Sequence, residues 1–144
     1  MRVRVAPWAL RPGIEERAAD GGLADHVLFL GDRKDVPELY QAMDALVLPS
    51  LFEGLPMVGV EAQCAGLPMV CSDRVPDEVA IGDCEFLPLE ATPDRWATRV
   101  AQAIDLGRDL GRRGQGASLT RTAGFDITRE AGRLAHRYRD LAGR

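Results

Sequence analysis

The chain has 144 residues, 46% of them apolar and 28% charged, with a formal net charge of -4. That length and apolar share suit one compact domain with a buried core and exclude an intrinsically disordered chain. The acidic balance gives no electrostatic basis for a nucleic-acid partner, and no apolar run approaches the roughly 18–20 residues that span a bilayer.

Short apolar runs alternate with helix-like segments from end to end, the pattern of a parallel sheet with crossover helices. Val3 to Ala6 reads as a strand and Pro12 to Ala19 as a helix stopped by Gly21-Gly22. Val27-Leu28-Phe29-Leu30 is a strand ending at Gly31. Asp35 then suits an N-cap, with Glu38 three residues on as a capping box and Pro37 tolerated in the first turn. Leu39, Ala42 and Met43 give that helix its inward face. Ala45-Leu46-Val47-Leu48 is continuous in apolar character, as expected of a fully buried parallel strand. Pro56 opens the next helix and Gly66 closes it.

Met69-Val70-Cys71 follows as a short strand, Pro76 to Ile81 as a brief helix, and Glu85 to Leu89 as a peripheral strand. Pro93 starts a helix in which Trp96, Val100, Ala103 and Ile104 recur at helical spacing, so Trp96 is a packing residue. From Leu106 to Gly124 glycine and arginine dominate, which predicts a frayed helix or loop. Asp126 caps a final helix from Ile127 to Leu141, with Ala131, Leu134, Tyr138 and Leu141 on one side. Cys64, Cys71 and Cys84 are odd in number and lack metal-ligand spacing, so they read as small core residues. His26 and His136 have no catalytic partner in sequence and read as capping or surface groups. The N-terminus lacks the apolar core of a signal peptide, so the expected location is cytoplasmic.

The most informative stretch is Pro49-Ser50-Leu51-Phe52-Glu53-Gly54-Leu55-Pro56-Met57-Val58-Gly59-Val60-Glu61-Ala62. Glu53 sits just before a helix, and Glu61 falls inside it among Val58, Gly59, Val60, Ala62 and Ala65. Desolvating a lone carboxylate costs roughly several kcal/mol, so Glu61 in such company needs a partner. The hydroxyls of a sugar or ribose would satisfy it, and the two oxygens of a carboxylate match a vicinal diol. The alternative is that Glu53 and Glu61 pair with a nearby arginine such as Arg74. Gly54-Leu55-Pro56-Met57 supplies a helix N-terminus directly after a buried strand, and such a terminus offers free amides to a diphosphate. In open α/β sheets ligands collect at this carboxyl edge of the strands.

The run from Val27 to Asp73, with its strand, Pro-Ser, Glu-Gly-x-Pro and second Glu eight positions after the first, resembles the donor-binding half of the GT-B-fold retaining glycosyltransferases. Gly66-Leu67-Pro68-Met69-Val70-Cys71-Ser72-Asp73 corresponds to the following turn and strand. The resemblance implies a Rossmann-like, three-layer α/β domain with a mostly parallel sheet, the second half of a GT-B fold. It implies transfer of a sugar from a nucleoside diphosphate sugar to an acceptor hydroxyl with retention, in surface polysaccharide or glycolipid synthesis, with no cofactor or metal. Glu53 would be the catalytic residue on the sugar side; Gly54, Leu55, Pro56 and Met57 would face the diphosphate, and Glu61 the ribose. The loop holding Arg33, Lys34 and Val36 corresponds to the nucleotide-base site, contacted largely through backbone groups, with the Arg33 and Lys34 side chains read as solvated.

Against the family pattern, an N-terminal acceptor-binding domain and a first strand-helix unit are expected to be missing, along with a phosphate-gripping lysine. Where a glycine-rich loop belongs the chain reads Val5-Ala6-Pro7-Trp8-Ala9-Leu10-Arg11-Pro12, in which Trp8 either stacks on a base or fills an apolar gap. The expected partners are therefore the sugar nucleotide and a polypeptide supplying the N-terminal acceptor domain. The arginine-rich segment from Arg108 to Arg144 reads as a solvated helix face, with peripheral contact to the inner membrane surface as the alternative. A non-catalytic nucleotide-sugar-binding module is the rival function. A sugar-nucleotide epimerase and a phosphoacceptor receiver domain fit less well.

Overall fold

The computed structural model describes residues 3–5 by their backbone and residues 11–143 in full. Trp8 and most of the loop expected before it lie outside these residues. The chain forms two compact units, Met1–Val36 and the remainder from Pro37. The α/β class and parallel strands expected from the sequence are present, with five strands in two parallel sheets among the described residues.

The first unit pairs β1 (Val3–Val5) with β2 (Val27–Phe29) in parallel, Val3 opposite Val27, across the crossover helix α1 (Arg11–Asp20). Parallel pairing requires such a crossover. A short 3-10 turn, Ala24–His26, leads into β2. The Arg11 guanidinium lies 5.5 Å from the Phe29 ring centroid and bonds Glu15 one turn along α1 at 2.6 Å. Beyond β2, Arg33 Nε donates to Asp35 at 2.7 Å. The capping box expected at Asp35 is therefore replaced by a side-chain fork, because a guanidinium two residues away outcompetes neutral amides for a carboxylate.

The helix α2 (Val36–Gln41) starts on the last residue of the first unit and lies otherwise in the second. Its buried residue is Tyr40, whereas Ala42 of the expected inward face is exposed. Three parallel strands follow in the order β3 (Leu46–Leu48), β4 (Met69–Ser72), β5 (Cys84–Leu87), linked by α3 (Met57–Cys64) and by a segment containing the 3-10 turn Asp77–Val79. β4 is central and every residue in it is buried. Alternation along it builds two cores: Met69 and Cys71 pack with Val60, Val75 and Val79 on the α3 face, and Val70 packs with Leu87 and Ala103 on the other. Helix α4 (Pro93–Gly107), capped by Thr92, brings Ala103, Trp96 and Val100 to that second core, as its spacing predicts.

Two expectations fail here. β3 is not fully buried: it is an edge strand, and Val47 stays 39% exposed because the second core is centred on β4 and β5. The stretch 106–124 is not frayed. It forms α5 (Leu110–Arg113) and α6 (Gly116–Thr122), and Gly107 and Gly116 serve close packing. A Cβ on Gly116 would strike the Gln63 carbonyl and the backbone of Gly66, and Gly66 itself has φ +76 and abuts the backbone of Arg113. Helix α7 (Ile127–Ala142) starts at Asp126, whose carboxylate accepts from the Thr128 and Arg129 amides, as expected. Its apolar stripe of Leu134, Tyr138 and Leu141 is exposed.

Candidate functional site

The loop from β3 to α3 carries Glu53 at the carboxyl edge of the sheet, and α3 itself carries Glu61. Ser72 at the end of β4 donates its hydroxyl to the Ser50 carbonyl, tying the loop to the central strand. Ser50 in turn donates to Glu53 Oε1 at 2.7 Å. Glu53 is half-buried and its Oε2 has no hydrogen-bond donor among the described residues. The adjoining Leu51 and Phe52 are 80% and 86% exposed, and Leu55 and Met57 are also exposed, so the acid's sequence neighbours present apolar surface to solvent.

Pro56 is buried and precedes α3 with an extended backbone. Its carbonyl accepts from the Gly59 and Val60 amides. No side chain caps the helix, so the Met57 and Val58 amides remain without a protein acceptor among the described residues. Such orphan donors, with the positive end of the helix dipole, form an anion seat. Gly54 faces open space, where a Cβ would meet nothing.

Glu61 is exposed, contrary to the burial expected from its sequence neighbours. Residues adjacent in a helix point about 100° apart, so Val60 and Ala62 enter the core while Glu61 turns outward with Met57 and Val58. It is not free in solution, because the Tyr40 hydroxyl donates to its Oε2 at 3.0 Å. Burial pushes the Tyr40 phenol well above its ordinary pKa, and the bond to Glu61 adds to that shift, so the proton stays on the tyrosine. Arg74 bonds Glu90 at 2.9 Å and lies 3.6 Å from Asp73, which removes it as the partner of Glu53 or Glu61. Arg33, Lys34 and Val36 belong to the first unit, where Arg33 is paired with Asp35.

Sequence reasoning missed the supports of this site. Gln63 is buried and its amide nitrogen donates to the Gly59 and Val79 carbonyls, while its oxygen accepts from Ile81 and Gly82. That side chain pins the loop before β5 to α3. Arg113 donates to the carbonyls of Tyr40 and Met43, both at 2.9 Å, and of Gln41 at 3.3 Å, closing the carboxyl end of α2. The signal available for Tyr40 was its spacing from Met43; for Gln63 and Arg113 there was none short of the fold.

The fold, a parallel α/β sheet, is that of the GT-B glycosyltransferase structures. The structure of WaaG, a glycosyltransferase involved in lipopolysaccharide biosynthesis, superposes with a TM-score of 0.75 at 20% identity, over 91% of this chain and 36% of that one. The family pattern of the Glycosyl transferases group 1 matches residues 5–105, and the chain belongs to that family. EpsF of Bacillus subtilis (strain 168), which carries a glycosyltransferase name, is 37% identical over 127 residues, 87% of this chain and 33% of its own length. The lipopolysaccharide core biosynthesis mannosyltransferase LpsB of Rhizobium meliloti (strain 1021) is 32% identical over 137 residues, 92% of this chain and 39% of its own. The chain thus spans a third to two fifths of the length of these relatives. No helix among the described residues is long and apolar enough to cross a membrane.

Proposed function

We propose that this chain is a single donor-binding domain, the C-terminal half of a retaining glycosyltransferase that moves a sugar from a nucleoside diphosphate sugar to an acceptor hydroxyl in surface polysaccharide or glycolipid synthesis. Glu61 receives the ribose hydroxyls, the Met57 and Val58 amides face the diphosphate, and Glu53 faces the transferred sugar. Positive charge grows on the sugar ring and negative charge on the leaving diphosphate during transfer. Fixed groups aimed at those charges lower the barrier more than they tighten ground-state binding. The reading requires no metal, and the acceptor contacts come from an N-terminal acceptor domain. The enzyme works in the cytoplasm or at the inner face of the membrane.

The observation that carries this reading is the pairing of uncapped α3 amides with two carboxylates, each keeping one oxygen free of protein donors among the described residues, at one strand edge. Donors for phosphate and acceptors for hydroxyls are what a sugar nucleotide needs. The test is thermal unfolding with a panel of nucleoside diphosphate sugars and with the free sugars as controls. At a hundredfold excess over Kd a ligand adds about 2.7 kcal/mol, which raises Tm by several degrees. A nucleotide-dependent rise that Glu61→Gln diminishes is the expected result. No rise with any sugar nucleotide, in this chain or in one joined to a relative's acceptor half, overturns it. In the joined form, Glu53→Gln abolishes transfer; unimpaired transfer removes Glu53 from catalysis.

A further inference from the structure

We propose that Tyr40 is a positioning residue for the Glu61 carboxylate, held in place by Arg113, so that discrimination for a ribose diol depends on two residues outside the Glu53–Glu61 stretch. The proposal rests on the reading of Glu61 as the diol acceptor given above. Tyr40 is 6% exposed, and its hydroxyl donates at 3.0 Å to Glu61 Oε2 across 21 positions of sequence. A glutamate on an open helix face otherwise samples several rotamers. With Oε2 tethered, Oε1 is presented in one direction.

The tether needs an anchor of its own. Helix α2 has six residues, too short to hold itself by internal hydrogen bonds. Its carboxyl end is closed by Arg113, whose guanidinium bonds the carbonyls of Tyr40, Gln41 and Met43. A cation there also suits the negative end of the helix dipole. Arg113 belongs to α5, and the α5–α6 segment packs backbone to backbone on the carboxyl end of α3 at Gly66 and Gly116. Both partners of the Tyr40–Glu61 bond are therefore seated on one short segment, which fixes their separation.

The test uses UDP, GDP and ADP with their 2′,3′-dideoxy counterparts as probes, taking the base that the parent chain binds tightest. Tyr40→Phe, which removes one oxygen from a buried ring, is expected to weaken the ribonucleotide about tenfold, the effect of losing one charge-assisted hydrogen bond. Dideoxy affinity and Tm should change little. Arg113→Met should shrink the ribose preference in the same direction. If Glu61→Gln erases the ribose preference while Tyr40→Phe leaves it intact, the positioning role is overturned and the reading of Glu61 stands. If Glu61→Gln leaves the preference intact, the reading of Glu61 falls and the proposal with it. Equal weakening of ribo and dideoxy probes by Tyr40→Phe, with a lowered Tm, marks a merely structural tyrosine and overturns the proposal.

Discussion

Replacing Gln63 by Met tests whether one buried amide holds the loop before β5 against α3. The substitution approximately preserves side-chain volume while removing every hydrogen bond. In the native structure the amide nitrogen donates to Val79 O at 2.7 Å and Gly59 O at 3.0 Å, and the oxygen accepts from Ile81 N at 3.0 Å and Gly82 N at 2.9 Å. The Gly59 carbonyl also accepts within the helix, so three groups lose their partner. Val79 is fully buried, and an unpaired buried carbonyl costs about 1–3 kcal/mol. Ile81 is half-buried and Gly82 exposed, so their amides regain water and cost roughly 0.5–1 kcal/mol each. The expected loss is about 3 kcal/mol, read in urea as a midpoint lowered by about 1–2 M at unchanged slope. Circular dichroism in the far ultraviolet follows the transition. Gln63→Glu sharpens the test: at neutral pH its second oxygen faces two carbonyls and it is at least as costly, while acidification restores a donor and part of the stability. A loss below about 1 kcal/mol for Gln63→Met refutes the account of Gln63 as the fastener of this loop.

Gly116→Ala should lower Tm by an amount equivalent to about 2–3 kcal/mol or more, since its Cβ would meet the Gln63 and Gly66 backbones, which cannot yield as a side chain would. Gly54→Ala, in open space, should stay within about 0.5 kcal/mol in the same melt, and parity between the two would refute the close-packing account. The Tyr40 phenol has its folded pKa raised above the ordinary 10.0 by burial first and by Glu61 second. The folded state thus holds that proton more tightly, and its contribution to stability is present below about pH 10 and lost as pH rises toward the folded value. Denaturation between pH 9 and 12 should therefore show an alkaline loss that Tyr40→Phe reduces; an identical loss in the variant contradicts the assignment. Asp126→Ala removes the acceptor for the Thr128 and Arg129 amides and should cost α7 about 1 kcal/mol, seen as faster hydrogen exchange over its first turn.

Features governed by local chemistry were legible before the fold. The spacing of Trp96, Val100 and Ala103 announced α4 and its buried face, Asp126 announced the start of α7, and Gly66 announced the end of α3 through its positive φ. Asp35 misled because its neighbour Arg33 competes for the same oxygens. The stretch 106–124 misled because glycine signals flexibility and close approach alike, and only the backbones facing Gly107 and Gly116 distinguish the two. The stretch that places Glu53 and Glu61 at a strand edge was visible, but the bonds that support the site, Ser72 to Ser50, Gln63 to Val79 and Arg113 to Tyr40, span 16 to 73 positions.

The sequence by itself determined the parallel α/β class, the order of its elements as far as α4, and one acid before and one within the helix after β3, because periodicity, capping and turn chemistry act over a few residues. Tertiary structure alone decided that Glu61 faces outward, that Tyr40 holds one of its oxygens, and that Val47 lies at a sheet edge. Burial and hydrogen-bond partnership belong to what packs against a residue, and for these side chains the partners are brought in from distant parts of the chain.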